Sequence, residues 1–169
     1  TNSDGADPLD YSAVMENPAE FYMTATDAAT GRAAYFSKYD IIRDDYRTVM
    51  ATCALPGFCR PVKVGEHFYY DGGVADSIPL HHAIEQGCTK MVVILSNPRD
   101  FVKKPEAHRP LYKHMLHKYP KTIQSIDNRH INYQASIDLA CRLEKEGYVF
   151  IFAPSRHMPL STFSKDAAL

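Results

Sequence analysis

A chain of 169 residues in which 45% are apolar and 23% charged has the composition of a globular protein, with material for one domain around a core of ordinary size. Its 19 basic and 20 acidic side chains leave a formal net charge of -1. That argues against a nucleic-acid partner, because neutralising phosphates takes clustered positive charge. No apolar run approaches the roughly 18 residues of a membrane-spanning helix, so no transmembrane segment is expected.

Residues 1–18 are polar, bounded by Pro8 and Pro18, and read as irregular. Residues 21–26 are rich in strand formers, Asp27 to Gly31 supply turn chemistry, and 32–36 predict the returning strand of a hairpin. A short helix is predicted over 44–52, stopped by Pro56 and Gly57. A strand over 66–70 then delivers Asp71, and Pro79 opens a helix through His81, Ala83 and Ile84 that Gly87 closes. Residues 90–96 hold the unbroken apolar run Met91-Val92-Val93-Ile94-Leu95, which predicts a strand buried on both faces, as in a parallel sheet covered by helices. Strand, helix and strand in this order read as a βαβ unit. A basic, Pro-punctuated loop covers 99–110, with 99–108 a candidate lid-side loop, and a short helix over 111–119 ends at Pro120. Ile123, Ile126, His130, Tyr133, Ile137 and Ala140 recur every three or four residues, predicting one long amphipathic helix that stops at Gly147. A last strand is predicted over 148–153, and residues 166–169 read as the start of a further helix.

The strongest candidate for chemistry is Asp71 with Gly72 and Gly73. Two glycines after an aspartate at a strand end can take backbone angles closed to other residues, turning the chain sharply and exposing the carboxylate as a base. The same residues also suit a plain tight turn in which Asp71 caps the backbone that follows. Ser77, six residues on, reads either as a nucleophile or, more simply, as the N-terminal cap of the helix at Pro79. His81-His82 and the pair His114 and His117 invite a metal reading, but a third ligand at compatible spacing is missing, which leaves surface histidines. Cys53, Cys59, Cys88 and Cys141 form no C-x-x-C pair and read as reduced, half-buried thiols. The aromatic residues at 21, 22, 35, 36 and 68–70 suit a core and sheet faces, with some able to line a groove.

Residues 51–80 read as one block: Ala51-Thr52-Cys53-Ala54-Leu55-Pro56-Gly57-Phe58-Cys59-Arg60-Pro61, then Asp71-Gly72-Gly73-Val74-Ala75-Asp76-Ser77-Ile78-Pro79. The block resembles the C-terminal half of the patatin-like phospholipase family, in which an Ala-x-x-Ala-x-Pro-x-x-Phe-x-Pro pattern precedes an Asp-Gly-Gly. Ala25-Thr26-Asp27 with Thr30-Gly31, Asn128-Arg129-His130 to Tyr133, and Ile151 to Ser155 are similar to the bacterial branch of that family, so the likeness runs over nearly the whole chain.

That resemblance implies an α/β fold of three layers, α/β/α, whose sheet is incomplete here because the N-terminal strands are absent. Residues 1–169 would be the C-terminal part of a single domain. The implied activity is hydrolysis of carboxylic esters of lipids, of phospholipase or esterase type, by a Ser-Asp dyad. Asp71 is the implied general base, Gly72 and Gly73 support the motif, and no metal or other cofactor is implied. The family's G-x-S-x-G nucleophile elbow and its Gly-rich oxyanion loop are not in these residues, so the chain is expected to be a fragment, inactive alone. Serine must lose its proton as it attacks, and a carboxylate doing that work needs burial beside apolar walls to raise its pKa. The expected location is the cytoplasm or the periphery of a membrane, and an exposed sheet edge or apolar face is expected to invite self-association. The alternative function is a non-catalytic module that binds lipid or a partner on the same scaffold.

Overall fold

The structure, a computed structural model, describes residues 2–156. The helix start expected at 166–169 lies outside them. A six-residue helix, α1 (Tyr11–Glu16), stands where irregular chain was expected; the Asp10 side chain caps it by accepting from the Ala13 amide at 3.0 Å. Leu9 and Tyr11 pack toward Met23, Ile41 and Tyr46, and this contact stabilises a stretch too short and polar to announce a helix.

The expected hairpin forms from β1 (Tyr22–Asp27) and β2 (Ala33–Ser37), paired antiparallel from Tyr22 with Ser37 to Thr26 with Ala33. Asp27 Oδ1 closes its turn by accepting from the amides of Ala29 and Thr30. Gly31 lies there at φ +68, against the backbone of Lys121. After α2 (Arg47–Ala51), β3 (Val62–Val64) and β4 (His67–Asp71) form a second hairpin, and β4 pairs with β1. The sheet order is β2-β1-β4-β3. The helix expected from residue 44 starts at 47, because Asp44 takes φ 60 and Ile42 bridges Asp45 in a tight turn.

A separate two-stranded parallel sheet joins β5 (Met91–Ile94) to β6 (Val149–Phe152). Between them run α4 (Arg109–Met115) and the 26-residue α5 (Pro120–Lys145), the long helix that periodicity predicted. The expected βαβ unit is therefore displaced: α3 (Leu80–Glu85) links β4 to β5, but those strands lie in different sheets, and the parallel crossover runs through α5 instead. β5 also departs from burial on both faces. Val93 is buried with Leu80, Ile137, Ala140, Val149 and Ile151, whereas Val92 and Ile94 are 66% and 76% exposed and Phe150 and Phe152 61% each. Helices cover one side of this sheet, and among the described residues nothing covers the other.

The architecture is thus mixed α/β, as expected. A second core, of Ala28, Tyr70, Val74, Leu116, Ile123 and Ile126, joins the four-stranded sheet to α5. Two hydroxyls on α5 make that joint specific: Thr122 donates to Ala28 O at 2.8 Å and Ser125 to Gly31 O at 2.6 Å. The cysteines are free; Cys141 is half-buried, but Cys53, Cys59 and Cys88 are exposed. Of the aromatic set, Tyr70 is in the core, while Phe21, Tyr22 and Phe68 are exposed. No helix among the described residues is long and apolar enough to cross a membrane.

Candidate functional site

The site is built at the C-terminal end of β4. Pairing with β1 buries Tyr70 and sets Asp71 opposite Ala25, with the Asp71 amide donating to Ala54 O at 2.9 Å. Thr26, fully buried, locks the strand end: its hydroxyl donates to Asp71 O at 2.8 Å and accepts from the Ala75 amide at 3.2 Å. The chain then enters a 3-10 turn over Gly72–Val74, capped by Asp71, whose Oδ1 accepts from the Gly73 amide at 2.7 Å. The carboxylate is half-buried, and Oδ2 has no hydrogen-bond partner among the described residues.

The structure does not show the special backbone angles expected of the two glycines. Neither lies in the left-handed region. A Cβ on Gly72 would stand 2.2 Å from Thr24 O, so the glycine permits β4 to close against β1. Ser77 does not cap α3, whose N-cap is Pro79 without a side-chain bond; the Ser77 hydroxyl instead donates back to Gly73 O at 2.7 Å. Gly73 O accepts a second bond from Arg129 Nε at 2.6 Å.

Asp71 opens into a cleft of about 430 Å³. One wall is Leu55-Pro56-Gly57-Phe58, the Pro-Gly segment before the aspartate, which turns at Gly57 with φ +87. Val74 and Ile126 also line the cleft, with Leu111, Tyr112 and Met115 from α4. Glu106, Ala107 and His108 close one side, so the end of the candidate lid-side loop does border the site. His108 takes φ 61 there, an uncommon conformation for a side-chain-bearing residue.

Charge is concentrated on one side of this largely apolar cleft. Arg129 Nη1 meets Glu106 Oε1 at 3.0 Å, and Lys103 Nζ lies 4.0 Å from the same oxygen. Burial, and then the adjacent Arg129 charge, lower the Lys103 pKa, and Glu106 opposes them. On α5, Asp127 accepts from Arg109 Nε and Nη2 at 2.8 and 2.7 Å and from the Tyr112 hydroxyl at 2.6 Å. Burial, reinforced by that hydrogen bond and the Asp127 charge, pushes the Tyr112 phenol up to about 12, so it stays a proton donor pinning α4 to α5.

No serine, threonine or cysteine lines the cleft among the described residues. His82 stacks on Tyr35 at 3.8 Å between centroids, His117 Nδ1 contacts His114 O, and neither pair approaches Asp71's cleft. Among the described residues, no group of three His, Cys, Asp or Glu side chains is placed to hold a metal. Sequence reasoning did not single out Thr26, Glu106 or Arg129 as site residues. Arg129 stood only within the Asn128-Arg129-His130 likeness, and a charged residue on the polar stripe of an amphipathic helix carries no signal of what it reaches.

Residues 24–84, spanning β1 to α3 and the Asp71 turn, match the patatin-like phospholipase family. Residues 119–168, spanning α5 and β6, match a domain of unknown function, DUF6363. The patatin-like likeness read over nearly the whole chain is thus matched over residues 24–84 alone, and Asn128-Arg129-His130 and Ile151 to Ser155 lie in the DUF6363 match instead. No curated protein matches the chain.

Proposed function

We propose that this chain is the C-terminal part of a patatin-like domain and supplies the base of a serine acyl hydrolase acting on carboxylic esters of lipids. In this reading Asp71 is the general base, and both the serine and the oxyanion donors come from outside the 169 residues. One observation carries the proposal: a half-buried carboxylate, held by one oxygen and open at the other, faces a largely apolar cleft that no serine, threonine or cysteine lines among the described residues. The patatin-like match over residues 24–84 supports an esterase or phospholipase class. Leu55, Val74, Leu111, Met115 and Ile126 supply apolar surface for an acyl chain.

In this reading the steps use that open oxygen. As the serine oxygen attacks the ester carbonyl carbon, its proton passes to Asp71 Oδ2, the oxygen left open by the Gly73 bond. Collapse of the tetrahedral intermediate expels the alcohol, which takes the proton back from Asp71. Water then attacks the acyl-serine, giving its proton to the same carboxylate, and the carboxylate passes that proton to the departing serine oxygen as the fatty acid is released. The reaction belongs in the cytoplasm or at a membrane periphery. In the isolated chain, the bare face of β5 and β6 favours association with a second copy.

The apolar lining of the cleft, without serine, threonine or cysteine among the described residues, also favours a second reading, a non-catalytic module that binds lipid in the same place. Hydrolysis of p-nitrophenyl acyl esters separates the two. The isolated chain is expected to show no turnover, and the natural full-length protein to lose at least about 100-fold in kcat on Asp71→Asn. Turnover by the isolated chain that Asp71→Ala abolishes overturns the division of the dyad. A full-length protein whose hydrolysis ignores Asp71→Asn overturns the base, and one that binds a non-hydrolysable ester without any turnover establishes the binding module.

A further inference from the structure

We infer that Arg129 is the positioning residue of this site, holding the Asp71 turn against α5 and tying it to the loop that borders the cleft. The inference rests on Asp71 being the working base. The turn has little to anchor itself: two of its three residues are glycines, and only Val74 contributes a buried side chain. Its geometry is imposed from outside. Gly73 is gripped at both ends, its amide by Asp71 Oδ1 at 2.7 Å and its carbonyl by Arg129 Nε at 2.6 Å and the Ser77 hydroxyl at 2.7 Å. Of the two donors to that carbonyl only Arg129 is charged, and charge-assisted bonds are the stronger kind. Arg129 also reaches the turn from a different element, since Ser77 belongs to the segment it braces. The aim of the carboxylate therefore depends on a guanidinium on the long helix.

The other end of the guanidinium gives the link to the loop. Nη1 donates to Glu106 Oε1 at 3.0 Å, and Glu106 lines the cleft beside His108, the left-handed residue at which the loop enters α4. A planar fork can serve Gly73 O and Glu106 at once because its donors point in different directions; a lysine ammonium at the same position presents one point of charge. Displacement of the loop that breaks the Glu106 contact thus acts on the group that orients Asp71.

The test has two arms with separate failures. In the isolated chain, amide hydrogen exchange at Gly73 reports the Asp71 bond without any need for catalysis. Arg129→Gln is expected to speed that exchange at least about 10-fold, with the β1–β2 amides unchanged, and Arg129→Lys to recover only part of the protection. Glu106→Gln is expected to speed exchange mainly over residues 106–108. Unchanged Gly73 exchange in Arg129→Gln overturns the inference, and so does faster exchange throughout the chain, which makes Arg129 a general brace. In the natural full-length protein, Arg129→Gln is expected to lower ester kcat about 10- to 100-fold while KM stays within about 2-fold. A raised KM at unchanged kcat makes Arg129 a substrate-binding residue and overturns its positioning role. Retention of full hydrolysis in Asp71→Asn sinks the base reading alone and leaves the exchange result to stand by itself.

Discussion

Replacing Gly72 by alanine puts a methyl group where a neighbouring strand already lies. Its Cβ would stand 2.2 Å from Thr24 O, 2.4 Å from Thr24 C and 2.8 Å from Thr24 Cβ, all inside the 3.0 Å that real Cβ contacts respect. The shortfall against the carbonyl oxygen is 0.8 Å, and a backbone atom cannot rotate away as a side chain can. Thr24 is also held from its other side by β2, so the strain falls on the β1–β4 pairing at Ala25 and Asp71. Overpacking of this kind costs about 1–3 kcal/mol, and a backbone clash belongs near 3. In a domain of this size that lowers Tm by about 6–12 °C. Gly73→Ala is the control, because the atoms nearest its Cβ are side-chain ends, Asp71 Oδ1 at 3.0 Å, Arg129 Nη2 at 3.4 Å and Ser77 Oγ at 3.9 Å. It is expected to cost about 1 kcal/mol or less in stability while disturbing the carboxylate. Urea denaturation followed by far-UV circular dichroism measures both. Gly72→Ala within about 0.5 kcal/mol of wild type, or Gly73→Ala the more destabilising of the two, would refute the close-approach explanation.

Two further outcomes follow from the other end of the fold. Glu144 accepts from Arg99 Nη1 and Nη2 at 2.5 and 2.7 Å and from the Ile151 amide at 3.0 Å, and these bonds, the Arg99 contact foremost, hold its carboxyl at about 2 against an ordinary 4.5. A depressed carboxylate pKa stabilises the fold above the unfolded value, so this contribution is complete above pH 4.5 and is lost as pH falls toward 2. Glu144→Gln is expected to flatten the acid limb of urea midpoints measured across that window, and an unchanged slope contradicts the assignment. On the bare face of the parallel sheet, the double replacement Val92→Lys and Phe150→Lys is expected to move the isolated chain from associated species toward monomer on size-exclusion chromatography. A wild-type chain that already elutes as a clean monomer argues against self-association through that face.

The parts of this molecule that were readable in advance carry their signals locally. Asp27 to Gly31 supply turn chemistry between two runs of strand formers, and the β1–β2 hairpin follows. Pro120, an apolar recurrence of three to four and Gly147 delimit α5 almost to the residue. The Asp71-Gly72-Gly73 turn was visible for the same reason, as was the Pro56-Gly57 bend that became a wall of its cleft. Elements that depend on a distant partner were not readable. β3 is three residues long and exists because β4 pairs with it. An apolar run announced β5, but its burial depends on what packs against each face, and α5 reaches only one.

The sequence by itself determined that an aspartate would end a strand and be followed by a tight turn built on two glycines. Only the tertiary structure decided what that turn meets: Gly72 yields to Thr24 across the sheet, and the Gly73 carbonyl is held by Arg129 from the long helix. Both contacts join segments far apart in the chain, and no local pattern encodes which carbonyl a glycine must pass or which arginine will reach it.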